Sequence, residues 1–214
     1  MHVVITGANR GIGNALMTQY QASGNTVTGT SRGGGDFAQL DVTDQAQQAA
    51  FAKSLEGTPI DLLVCNAGVY LDKGHQLDTD YPADIWATTF AANVTGVFLT
   101  VQALLPNLAL SQTPKIAIIS SQMASHTRAP GGSYIYRSSK AAALNLGRNL
   151  ATDLHPRGIA VGIYHPGWVR TDMGGGDADI GINDAVPGLI DRFSELDLET
   201  SGCFRTWDGL DHAY

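Results

Sequence analysis

Two side chains in the stretch YRSSK are placed to share a proton. Tyr136 and Lys140 stand at i and i+4 in IYRSSKAAALNLGRNLATDL, a helix-compatible run, so both fall on one helical face. Free tyrosine titrates near pH ~10 and exchanges protons near neutrality only where a cation stabilises its phenolate. Lys140 is such a cation, whereas Tyr134 has Ser138 in the equivalent place. Upstream, KIAIISS ends a strand-like run in Ser120 and Ser121, hydroxyls able to hold a reacting oxygen, and Ser125 follows. No GxSxG elbow is present, which sets aside a serine hydrolase. The histidines His2, His75, His126, His155, His165 and His212 lack ligand spacing and neither Cys65 nor Cys203 sits in a CxxC pair, so no metal site is expected.

A second set suits a phosphate-bearing ligand. In TGANRGIG, which follows the run HVVIT and opens a helical one, Gly7, Gly11 and Gly13 allow a tight turn, close backbone approach and close helix–strand packing. The helix start offers unpaired N–H groups to an anion, and Asn9, Arg10 and Ile12 complete the loop. At the end of the second strand run an Asp or Glu would bind the ribose hydroxyls of NAD and repel a 2′-phosphate; here stand Ser31 and Arg32. With Arg10 they offer two cations to a phosphate, which favours NADP(H) over NAD(H). Asn66-Ala67-Gly68 after IDLLVC, and PGWVRTD (Pro166 to Asp172) after IAVGIYH, are turns at the carboxyl ends of strand runs, where open α/β sheets bind ligands.

The elements that position these residues follow from periodicity. Seven short β-rich runs, HVVIT, NTVTGT, AQLDV, IDLLVC, KIAIIS, IAVGIY and SGCFRT, are mostly separated by segments of helical length. The expected fold is α/β, a single-domain Rossmann-type doubly wound parallel sheet of about seven strands, with helices on both faces, spanning residues 1–214. Only SRGGGDF separates the second and third runs, so the second crossover helix is shortened or missing. After residue 172 a Gly-rich stretch precedes a helix expected to be capped at Asn183, with a substrate loop at about 173–195. At 43% hydrophobic the chain can bury a substantial core, and its net charge of −7 without a basic block argues against a nucleic-acid or acidic-membrane surface. The start reads as no targeting signal, no unbroken apolar run has membrane length, and two cysteines fit reduced thiols; a soluble cytoplasmic protein is expected.

The order of TGANRGIG, NAG, SS, YRSSK and PGWVRT resembles the short-chain dehydrogenase/reductase (SDR) superfamily, over nearly the whole chain. The compact size and GGSYIYRSSKAAALN look like its C-factor/sniffer-type carbonyl reductases. The resemblance implies an NAD(P)-dependent oxidoreductase that moves hydride between nicotinamide and a carbonyl or alcohol, with Tyr136 as acid-base residue and Lys140 also at the nicotinamide ribose. It selects Ser121 as the hydroxyl that holds the substrate oxygen, with Ser120 and Ser125 as alternatives. Asn93, in AANVTGVF, would kink a helix and hold a water in a proton relay. Asp41 of LDV, with Val42, would meet the adenine; Asn66, Ala67 and Gly68 would line the cofactor; Pro166 and Gly167 would lead to Val169 and Thr171, which hold the nicotinamide carboxamide. The superfamily implies a homodimer or homotetramer packed through the helices carrying Asn93 and Tyr136. Tyr70, Trp86, Met123, Trp168 and Met173 line an apolar pocket or belong to the core. The competing reading is a dinucleotide-binding regulator, C-factor-like, with little turnover.

Overall fold

A computed structural model describes residues 1–78 and 81–214. Seven strands form one parallel sheet: β1 His2–Ile5, β2 Thr26–Ser31, β3 Ala38–Gln39, β4 Leu62–Cys65, β5 Lys115–Ile119, β6 Ala160–His165 and β7 Phe204–Thr206. Their order is β3-β2-β1-β4-β5-β6-β7. The chain reverses its winding between β1 and β4, paired Val3 to Leu62 and Ile5 to Val64, so the loops leaving these two strands diverge and open a crevice at their carboxyl ends. This is the doubly wound Rossmann-type fold expected from the strand pattern.

Alternation along the strands sorts the core into two layers. Val4, Leu63, Cys65, Ile116, Ile118 and Val161 face one side, against Phe51 of α2 (Gln45–Ser54), Val97, Val101, Leu104 and Leu108 of α4 (Gly96–Leu108) and Ala151 and Leu154 of α5 (Tyr134–Leu154). Val3, Ile5, Leu62, Val64, Ala117, Ile119 and Tyr164 face the other, against Leu16 and Tyr20 of α1 (Gly11–Ala22) and Val186, Leu189 and Phe193 of α6 (Ile182–Glu195). Strands buried on both faces explain why their sequences read as continuous apolar runs rather than alternating ones. Cys65 lies inside this core, and burial pushes its thiol up to about 12.

The second crossover carries no helix. Residues 32–37 turn through Gly34 and Gly35, at φ +67° and +74°, while the Ser31 hydroxyl donates to Gly34 O and Leu40 N donates back to Ser31 O. β3 is therefore a two-residue edge strand. After Ala83–Phe90 (α3), a π-helical turn at Ala91–Thr95 runs into α4 without a break. This continuous 26-residue helix, Ala83–Leu108, is by length and composition apolar enough to cross a membrane, a test that a core helix also passes, although Asp84, Thr88, Asn93, Thr100 and Asn107 break its apolar run. Its α4 half lays Val97, Val101, Leu104 and Leu108 on the sheet.

The stretch expected as a loop over 173–195 is irregular only to residue 181. α6 begins at Ile182 with Gly181, not Asn183, at its cap. Gly181 is extended and its carbonyl accepts from the N–H groups of Asp184 and Ala185, so the main chain starts the helix and Asn183 lies within its first turn. At the other end Lys115 Nζ donates to the carbonyls of Phe193 and Ser194, placing a cation on the negative pole of α6.

Candidate active site

Tyr136 and Lys140 lie at the start of α5 and are 7% and 6% exposed, close enough to solvent to be reached and buried enough to be perturbed. Lys140 Nζ sits 5.6 Å from the centre of the Tyr136 ring and donates to Ile119 O at 3.0 Å, the last carbonyl of β5. Ser121 follows that strand in an extended conformation, its Oγ accepting from Met123 N, and the hydroxyl faces the Tyr136 phenol and favours its ionised form. The neighbouring serines are engaged elsewhere. Ser120 Oγ donates to Lys140 O, and Ser125 Oγ pairs with Thr127 Oγ1. The extended loop between Ser121 and Tyr136 thus closes on the second serine of the pair.

The electrostatics depart from the expectation that Lys140 makes Tyr136 acidic. Burial pushes the phenol well above its ordinary value, with Tyr70 and Asp72 adding to the rise and Ser121 opposing it. Burial likewise lowers Lys140 to about 8. With its ammonium turned to Ile119 O, the lysine leaves Tyr136 firmly protonated.

Asn93 sits in the π-helical turn, the expected distortion of this helix. Its amide is consumed by protein: Nδ2 donates to Val69 O and to Ser139 Oγ, and Oδ1 accepts from Val69 N. Ser139 Oγ in turn donates to Tyr136 O. The side chain therefore ties the loop after β4 to α5, with both amide hydrogens engaged by protein.

The glycine loop and NAG interlock at the crevice. Thr6 Oγ1 accepts from the N–H groups of Asn66 and Ala67, and Asn66 Nδ2 donates to Thr6 O and Gly7 O, both at 3.0 Å. Gly7, at φ +67°, passes so close to Ala67 that a Cβ would meet its Cα at 3.0 Å. A Cβ on Gly13 would meet Gly7 O at 2.3 Å, and one on Gly68 would lie 3.0 Å from Asn93 Oδ1 and 3.5 Å from Lys140 Nζ. α1 starts with no side-chain cap and no acid in its first turn, so the positive end of the helix is left for an anion. Asn9 and Arg10 are exposed and Ile12 packs partly on the core.

The flanking candidates are sorted by geometry. Arg10 pairs with Asp172 at 3.3 Å, both exposed, rather than turning toward Arg32, which is exposed and has no ion-pair partner among the described residues. In this arrangement Arg10 is engaged by an acid of PGWVRTD, while Arg32 carries no ion pair among the described residues. Ser31 is buried under its own glycine turn. Asp41 Oδ1 accepts from Thr43 N and Oγ1. Val42 packs its side chain where a Cβ on Gly96 would be 2.7 Å away, leaving only its main chain for a ligand. Pro166 is buried and Gly167 turns at φ +89°. Val169 is buried and bridges to Ile180, and Thr171 brings its methyl within 3.7 Å of where a Gly11 side chain would begin, folding this segment over the glycine loop.

Of the aromatic candidates, Tyr70 stacks on Tyr136 with centroids 4.2 Å apart. Trp168 and Met173 are 44% and 39% exposed, which removes them from the core, and Trp86 pairs with Phe90 along α3. Trp168 Nε1 and Lys73 Nζ both donate to Gly174 O, pinning the loop after β6 to the loop after β4. Sequence reading passed over Asp72, a fully buried carboxylate in this site with no motif around it.

Comparison with known proteins identifies the family. The family model for short chain dehydrogenases matches residues 1–179. The chain is 39% identical to the C-signal of Myxococcus xanthus over 76% of this chain and 97% of that protein. It is 33% identical to the 1-hydroxy-2-glutathionyl-2-methyl-3-butene dehydrogenase of Rhodococcus sp. (strain AD45), over 97% and 96% of the two chains. Among solved structures, the NADPH-bound carbonyl reductase from chicken fatty liver superposes with a TM-score of 0.90 at 30% identity, covering 100% of this chain and 98% of that one. With one family model spanning most of its length and full-length relatives above 30% identity, the chain belongs to the short-chain dehydrogenase family of oxidoreductases.

Proposed function

We propose that the protein is an NADP(H)-dependent reductase of carbonyl compounds, reversible to alcohol oxidation, with Tyr136 as its acid-base residue. The observation that carries this reading is the burial, at one sheet edge, of Ser121, Tyr136 and Lys140, with the phenol held protonated. A buried, protonated phenol beside a hydroxyl is a proton donor for an oxygen that gains negative charge. The residues also fit a dinucleotide: α1 presents an uncapped start behind Gly7 and Gly13, where a side chain would collide with Ala67 and with Gly7 O, so the backbone lies open for a pyrophosphate to approach. When bound, the nicotinamide supplies or accepts the hydride.

The chain's own residues do the rest. Ser121 and Tyr136 hydrogen-bond the carbonyl oxygen, Tyr136 passes its proton to that oxygen, and Lys140 holds the ribose side of the site and supports return of the proton. Asn93 fixes the loop after β4 against α5. Gly7, Asn9, Arg10, Gly11, Ile12 and Gly13 would hold the pyrophosphate, Asp41 and the Val42 main chain would meet the adenine, and Asn66, Ala67, Gly68, Pro166, Gly167, Val169 and Thr171 would line the nicotinamide half. Arg32, with the main chain of Ser31, would face the 2′-phosphate. The chicken carbonyl reductase was solved with NADPH and a Burkholderia multivorans relative, 27% identical, with NADP, which favours the phosphorylated cofactor.

Fluorescence titration tests the preference. Wild type should bind NADPH more tightly than NADH, and Arg32→Ala should weaken NADPH by about 10-fold, the lower end for a charged hydrogen bond at an exposed residue, with NADH unchanged. Equal binding of both cofactors would overturn the assignment of Arg32. A second reading is favoured by the 39% identity to the C-signal, namely a dinucleotide-binding signalling protein. Tight NADPH binding without oxidation by any of a panel of aldehydes and ketones would select it.

The pH dependence has a definite sign. Burial disfavours the ammonium of Lys140, so its proton leaves at about 8 and the cation is present below that pH and lost above it. Because kcat/KM for NADPH reports groups of the free enzyme, it should fall above about pH 8. In Lys140→Arg, whose guanidinium stays charged, that falling limb should vanish even if the plateau is lower. A wild-type profile level to pH ~10, the ordinary lysine value, would contradict it.

A further inference from the structure

Tyr136 occupies the third position of α5, inside the first turn, where main-chain N–H groups have no partner within the helix. An N-cap side chain normally takes the N–H groups of the second and third residues. Here the cap is Ser133, in the left-handed region at φ +47°, and its side chain makes no cap bond; its Oγ instead meets Tyr70 OH at 2.5 Å. The N–H groups of Ile135 and Tyr136 are taken by Asp72, whose Oδ2 accepts from Ile135 at 2.8 Å and from Tyr136 at 3.4 Å, with Oδ1 3.2 Å from Tyr136 N. Asp72 is 0% exposed, belongs to the loop after β4, and has no ion-pair partner among the described residues. A buried carboxylate without a cation is costly, and the positive end of α5 is its compensation.

We infer that Asp72 is a positioning residue for Tyr136, capping α5 from a distant loop so that the phenol's own helical turn cannot fray and its oxygen stays fixed opposite Ser121. The inference rests on the acid-base role given above to Tyr136. Tyr70, two residues before Asp72, grips the same turn through its stack on the Tyr136 ring and its bond to Ser133, so one short segment holds the tyrosine by main chain and by ring. The groups facing the phenol are Tyr70 and Asp72 from this loop, Ser121 from the end of β5 and Lys140 on α5; of these Asp72 is the acid, and its charge helps keep the phenol protonated.

Two variants separate positioning from simple stability. Asp72→Ala removes both acceptors and should lower kcat for carbonyl reduction about 10- to 100-fold, the range expected when a reacting group drifts by up to an ångström, with the Kd for NADPH unchanged. Asp72→Asn keeps an amide oxygen where Oδ2 accepts both N–H groups, and should recover most of kcat. A kcat for Asp72→Ala within about 2-fold of wild type overturns the inference, taking 100-fold as the scale of misplacement. A folded Asp72→Asn that is about 10-fold or more below wild type in kcat, although it keeps the acceptor oxygen, overturns it too, and decides alone if the alanine variant does not fold. Tyr136→Phe, run beside them, distinguishes the failures: if it turns over normally the acid-base reading itself is wrong, and if it is inactive while both Asp72 variants behave as wild type, only the role of Asp72 falls.

Discussion

Tyr136→Phe should lower kcat for carbonyl reduction by about 10²- to 10⁴-fold, the usual worth of a positioned general acid, while NADPH binds as before. The substitution deletes one hydroxyl and little else. The ring stack on Tyr70 survives in phenylalanine, as do the main-chain bonds to Asp72, so the first turn of α5 should stay in place. Tyr134→Phe is the matched control: its ring is 36% exposed, it packs edge-on against Tyr81, and its loss of hydroxyl should leave turnover within about 2-fold, far from the acid's contribution. Single-turnover oxidation of bound NADPH with an excess of a good aldehyde substrate is the measurement to make, because it isolates the hydride step from product release. Undiminished turnover in Tyr136→Phe would mean that Ser121 or a water gives the proton.

That prediction also bears on direction. The site as folded keeps the phenol protonated: burial raises it, Asp72 adds to the rise, and Lys140 spends its ammonium on Ile119 O instead of on the tyrosine. A donor that keeps its proton through neutral pH suits carbonyl reduction. On the acid-base reading proposed above, alcohol oxidation would need Tyr136 to give up that proton, and a turn of Lys140, itself lowered to about 8, from Ile119 O toward the phenol would favour it.

The sheet was legible because its strands are buried on both faces, which writes continuous apolar runs into the sequence, and because glycine turns punctuate their ends. The missing crossover helix was legible from chain length alone, since residues 32–37 cannot hold one. The glycine loop, NAG, Ser121, Tyr136 and Lys140 came out together because each follows a strand at the same edge. Other features depend on partners that no local pattern announces. Arg10 looked free until Asp172, distant in sequence, was folded beside it. The Asn93 amide looked available for a water until Val69 and Ser139 took its hydrogen bonds. Asn183 has the composition of a cap, yet the carbonyl of Gly181 already starts α6. Asp72 lies among ordinary loop residues in VYLDKG and gains meaning only when α5 is set against it. Local chemistry encodes what a residue can do; which group it meets across the sheet edge is a property of the packing.

Gly13→Ala should abolish measurable NADPH binding, raising Kd by 100-fold or more, roughly the loss of two charge-assisted hydrogen bonds to phosphate. Gly13 has an ordinary helical backbone, so the effect is one of space and not of φ. Its Cβ would lie 2.3 Å from Gly7 O and 2.5 Å from Asn66 Nδ2. Neither neighbour can yield. Gly7 O is main chain in a tight turn, and Asn66 Nδ2 is committed to Thr6 O and Gly7 O. The start of α1 must therefore move away from the turn, and the N–H groups that would face a pyrophosphate move with it. Overpacking of this kind costs about 1–3 kcal/mol, so Tm should fall by about 3–10 °C in a chain of this size. Gly24→Ala separates the two consequences. Gly24 sits at φ +77° with nothing near its absent side chain, so alanine there strains the backbone by about 1 kcal/mol and lowers Tm without touching the crevice. Binding lost in Gly13→Ala and kept in Gly24→Ala, at comparable loss of Tm, ties the cofactor to the interlocked turn of Gly7, Gly13 and Asn66; binding kept in both would place the dinucleotide elsewhere.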